Sequence, residues 1–188
     1  MHTVTTNYRL SNWRGEFVDA ATEQAFRKHS EADASRSLRR ALLVWAALVV
    51  LFGLLDYPVL GHGYDFQVLF GWRLATAAVL LLLYWQVRRK PSLVSDGYAV
   101  TAVEIFGSVL FFMLYFLRHD MVSWVIGVTA ISLLALFMFV PNRVYLSLLT
   151  AAFMSIGMMI CVAVRGMGIE NVVGLGFILA LPTAVGFF

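Results

Sequence analysis

Six apolar runs take up nearly everything after Leu38, and each is close to the roughly 20 residues that a helix needs to cross a hydrocarbon core of about 30 Å. They are Leu38 to Val59, Phe66 to Val87, Gly97 to Leu117, Val122 to Val140, Val144 to Val164 and Val172 to Phe188. The connections carry breakers: Gly61 and Gly63, Pro91, then Pro141 with Asn142. Short links of this kind leave consecutive helices as antiparallel neighbours. A membrane β-barrel needs segments that alternate in polarity, and Ala78 to Leu83 does not alternate.

Composition removes a water-soluble alternative. Of the 188 residues, 61% are apolar and 13% charged, whereas a soluble domain carries about 25% charged residues to cover its surface. The single cysteine, Cys161, excludes an intrachain disulfide framework and a cysteine-based zinc cluster. The net charge of +3 sits beside the runs and does not form a nucleic-acid face. No nucleic-acid partner is expected.

The expected fold is an all-α integral membrane protein: a bundle of six transmembrane helices over residues 38–188, preceded by a cytoplasmic segment, residues 1–37. That segment is rich in helix formers and has no Gly or Pro after Gly15, so a helix is expected from about Glu16 to Arg40. It would lie near anionic headgroups or touch an output domain or a dimer mate. About 37 polar residues precede the first run, which is too long for a signal-peptide core, and so it stays as an anchor. With the N-terminus inside, eleven Lys and Arg fall on the cytoplasmic side, Arg9 and Arg14 among them, against Arg118 and Arg165 outside. Such an asymmetry sets orientation in a bacterial inner membrane, and six spans return the C-terminus to the cytoplasm. The last run stops at Gly186, Phe187 and Phe188 with no interfacial flank, and the chain reads as a fragment whose continuation would emerge in the cytoplasm.

Ionisable residues inside a span cost roughly 2.5–3.5 kcal/mol each near the helix centre, which makes them functional candidates. Three qualify: Asp56, Arg73 and Glu104. At about 1.5 Å per residue, Asp56 and Arg73 reach depths that differ by only a few Å, so they are expected to pair. The pair is either a registry device or one that a ligand or the membrane field breaks. Glu104 lies roughly 10 Å deeper than Arg73. It is either an internal hydrogen-bonded carboxyl or part of a polar cavity with Thr101, Ser108 and Tyr98.

On the outer rim His62, Asp65, His119 and Asp120 are weak metal candidates whose spacing matches no strong motif. Met154, Met158 and Met159 read as packing. Gly176, Ala180 and Ala184 recur every four residues, a spacing that permits close helix approach within the bundle or in a homodimer. Pro182 should kink or loosen the same helix. No P-loop, G-x-S-x-G or H-E-x-x-H is present, nor an internal repeat of the transporter kind. The segment is expected to hold no catalytic residue and no cofactor. Its expected partners are the bilayer, a second copy, and an unidentified small ligand or lipid.

The order Glu23-x-x-Phe26-Arg27, Arg39-Arg40, Phe52-Gly53-Leu54-Leu55-Asp56 and then Trp72-Arg73 resembles the six-span membrane-associated sensor region of bacterial GGDEF diguanylate cyclases and class III nucleotide cyclases. The resemblance implies a cytoplasmic cyclase beyond Phe188, joined through a dimeric helical linker. The expected function is thus a sensory or regulatory anchor. A stand-alone transporter or channel subunit, or a ligand-free anchor and dimeriser, is the alternative.

Overall fold

The computed structural model describes residues 16–118, Asp120 and residues 122–187. Its elements are α1 (Ala20–Leu60), α2 (Tyr64–Arg89), α3 (Leu93–Asp96), α4 (Tyr98–Leu117), α5 (Val122–Phe139), α6 (Val144–Val164) and α7 (Ile169–Phe187). Five of them, α1, α2, α4, α5 and α6, are long and apolar enough to cross a membrane, and α7 is a shorter apolar helix over 169–185. The chain is a multi-pass membrane protein by this measure.

Asp19 starts α1 by accepting from the amide of Thr22 at 2.9 Å, an N-cap that satisfies one of the otherwise unpaired first-turn donors. The Thr22 hydroxyl, then its amide, hold the Asp19 carboxyl below its usual range. From there α1 continues without a break for 41 residues, so the polar lead-in and the first apolar run form one rod about 60 Å long. Its polar half is tied down by Arg27, which binds Glu16 at 2.8 Å and the Ser95 carbonyl at 3.0 Å.

The buried side of α1 shows why it pairs with α2. Ser35, Leu38, Leu42, Ala46, Val49, Gly53 and Asp56 are buried, at steps of three and four that draw one narrow stripe along a helix. On α2 the buried set includes Leu69, Arg73, Thr76, Leu83 and Val87, with the same spacing. Two such stripes interdigitate as in an antiparallel coiled coil. Asp56 and Arg73 occupy seam positions that would otherwise be apolar. The opposite face of α1 exposes Val44, Leu51, Leu54 and Leu55, the last at 62%. Apolar surface on that scale belongs against lipid.

Around the bundle α2 packs on α1 and α4, α4 on α6, α6 on α7, and α7 on α5, while α5 only grazes α1. Leu133, Met154, Met158, Cys161, Leu175 and Leu179 build the larger core between α4, α5, α6 and α7. Leu38, Leu42, Leu83, Val87, Val94 and Val100 build a second around α1, α2, α3 and the start of α4. The α1–α5 seam is the open wall, and Trp45 borders each of three cavities along it.

In α7 the residues turned inward are Leu175, Leu179 and Pro182, whereas Ala180 and Ala184 are exposed and a Cβ added at Gly176 would stand 3.3 Å from Met159. Most of the small-residue stripe therefore faces away from the bundle. The helix runs on through Pro182, and the Thr183 hydroxyl donates to the Leu179 carbonyl at 3.0 Å.

Candidate functional site

Among the described residues, two buried polar centres lie in the bundle. At the first, Asp56 Oδ2 accepts from Arg73 Nε at 2.7 Å while Arg73 Nη1 donates to the Val49 carbonyl at 3.3 Å. Gly53 makes this reach possible, since a Cβ there would stand 3.0 Å from both Arg73 Cδ and Phe70. The second carboxylate oxygen of Asp56 accepts from Arg118 Nη1. Arg118 follows α4 and folds back under the rim, donating through Nε and Nη2 to Asp120 at 2.9 and 2.8 Å. The side chains of Asp56, Arg73 and Arg118 are all within 6% exposure, but Asp120 is 44% exposed. The chain of charges thus runs from the helix seam to the surface, with two cations balanced by two anions. A cavity of about 320 Å³ borders Asp56, Arg73 and Arg118, walled otherwise by apolar groups such as Phe52, Leu114 and Trp124.

The second centre is Glu104. Its Oε2 accepts from the Thr150 hydroxyl at 3.0 Å and from Asn142 Nδ2 at 3.4 Å, and the same Asn142 nitrogen donates to Thr101 Oγ1 at 2.9 Å. Asn142 is aimed there by the α5–α6 connection, in which its own Oδ1 accepts from the Arg143 amide at 2.8 Å. Glu104 Oε1 is buried and has no hydrogen-bond partner in the protein; the same holds for Ser132 Oγ. Both residues line one cavity of about 140 Å³ with Thr150, Ser108 and many apolar side chains. Every apolar helix except α7 contributes to its wall.

Several residues named from sequence lie elsewhere. Tyr98 is no part of the Glu104 cavity: it is 63% exposed and meets the Tyr145 hydroxyl at 3.4 Å. It opens α4, and its ring falls outside the bundle where Thr101 and Ser108 turn inward. Glu104 forms no pair with Arg73. On the rim, His62 Nε2 is 2.6 Å from the Tyr57 hydroxyl, Asp65 is exposed, and Asp120 is engaged by Arg118. His119, like Arg9 and Arg14, lies outside the described residues, among which no three metal-binding side chains gather. Conversely Arg118, Asn142, Thr150 and Ser132 enter the two centres although their positions at loops or on apolar runs gave no sign of it.

No family model, curated protein or solved structure matches this chain.

Proposed function

We propose that the chain is the six-span sensory or regulatory domain of a bacterial inner-membrane signalling protein, with both termini cytoplasmic, and that it controls a cytoplasmic enzyme attached after Phe188. A diguanylate cyclase is the first choice and a class III nucleotide cyclase the second, from the resemblance of the Asp56 and Trp72-Arg73 order. The observation that carries the reading is the sharing of Asp56 between Arg73 and Arg118, with the far end of the network at the surface through Asp120. A carboxylate with two cationic partners has more than one way to be satisfied. A ligand, ion or lipid change that loosens Arg118 alters the hold on Asp56 and hence the α1–α2 seam, and α1 carries the change unbroken to Ala20. The partners proposed are the bilayer, a second copy along the exposed Ala180 and Ala184 face, and a small ligand.

Asp120→Asn is the informative variant because it weakens the surface end of the network and leaves Asp56 with both arginines. Membranes holding the native gene product should make a cyclic nucleotide, and the variant should change that rate several-fold at equal protein amount. The purified chain in liposomes should carry no ion current. An unchanged rate, a product without cyclase activity, or a current through the liposomes would each overturn the reading, the last in favour of a transporter.

A further inference from the structure

We infer that the cavity beside Glu104 is a binding site for one compact apolar molecule bearing a single hydroxyl, of the size and kind of a phenol or a small alcohol. Size comes first. A cavity of about 140 Å³ is close to the roughly 150 Å³ of an engineered protein cavity that accepts benzene. Its lining is apolar over most of its extent, from Leu42, Leu80, Val103 and Leu136 among others, which sets the body of the ligand.

The two polar atoms without partners set its head. Glu104 Oε1 has its sister oxygen already held by Thr150 and Asn142, and Ser132 Oγ has no partner, in a protein interior where unmade hydrogen bonds cost about 1–3 kcal/mol each. A hydroxyl both donates and accepts, so it suits a carboxylate oxygen, which only accepts, as well as a serine hydroxyl, which does either. A hydrocarbon answers neither. An ammonium has donors but no acceptor. Access is from the side, because α1 and α5 barely touch, and a molecule that enters there must first dissolve in the bilayer.

Gly107 supplies the decisive variant. It lies on the cavity wall in mid-α4, and a Cβ added there meets nothing within 4 Å. Leucine at this position fills the space while improving helix propensity. The inference stands apart from the regulatory reading, since binding is read within the bundle itself and not from any enzyme output.

The full 188-residue chain in lipid nanodiscs, with its methionine methyls labelled with carbon-13, should show the buried Met154 methyl shifting saturably with phenol. Toluene, which has the same number of heavy atoms and no hydroxyl, should bind at least about tenfold more weakly, the ratio expected for roughly 1.4 kcal/mol of hydrogen bonding. Gly107→Leu should abolish the shift, and Glu104→Met should bring phenol and toluene to within about twofold of each other, as expected once hydrogen bonding no longer separates them. If Gly107→Leu does not fold, Ser132→Ala takes its place and should narrow the phenol preference. A linear, unsaturated shift that tracks partition into lipid means that water or lipid tails fill the cavity. That outcome, equal affinity for toluene in the unaltered chain, or full binding by Gly107→Leu overturns the inference.

Discussion

Asp56→Asn is expected to lower the stability of the bundle by about 3–5 kcal/mol, because it removes the shared anion and leaves the Arg73 and Arg118 guanidiniums buried without it. The cost comes from uncompensated charge and not from lost attraction alone. Adding Arg73→Gln and Arg118→Gln to the same chain should therefore restore stability, since neutral groups in the seam have far less solvation to lose. Equilibrium unfolding in mixed detergent micelles measures all of these variants. Strict additivity of the three changes would mean that the residues do not act as one network.

The second large effect is expected at Gly97, which joins α3 to α4 with φ at 77°. Any side chain there meets two costs. The left-handed conformation disfavours an L-residue by roughly 1–2 kcal/mol. A Cβ would also stand 2.3 Å from Asn142 Oδ1 and 2.9 Å from Leu146 Cδ1, and relieving such overpacking costs typically about 1–3 kcal/mol. Gly97→Ala should then lose about 2–5 kcal/mol in total and push Asn142 away from Glu104. Gly166→Ala is the natural control, with φ at 73° and nothing within 4 Å of the added carbon. Equal losses at the two positions would show that the Asn142 contact contributes nothing.

Much of this architecture is legible in the amino-acid order because lipid imposes simple demands. Five of the six apolar runs coincide with a helix to within a few residues and the first makes up the second half of α1, since backbone groups facing lipid must be paired within their own segment. The depth arithmetic that set Asp56 beside Arg73 works for a similar reason, as rise per residue is fixed along both helices. What the order of residues does not give is tertiary fold-back. Arg118 stands just past a helix end, where a solvated cation is the ordinary expectation, yet the chain turns it under the rim to Asp56. Asn142 follows Pro141 as a plain helix breaker, and its role appears only when the connection lays it against α4. Tyr98 illustrates the converse. Spacing alone places it on the face of Thr101 and Ser108, but a ring on the first residue of a helix has no preceding turn to hold it inward. The stripe of Gly176, Ala180 and Ala184 is likewise a true helical face whose phase, set by Leu175 and Leu179, leaves most of it outside the bundle.

Regulation through this bundle requires that what happens among its helices reaches an attached enzyme. The most direct measurement is cyclic nucleotide synthesis by the native gene product in membranes, compared between the unaltered protein and Asp120→Asn at equal protein amount. The rate should differ several-fold, because the variant loosens the surface end of the network that shares Asp56. Equal rates in the two proteins would contradict the account.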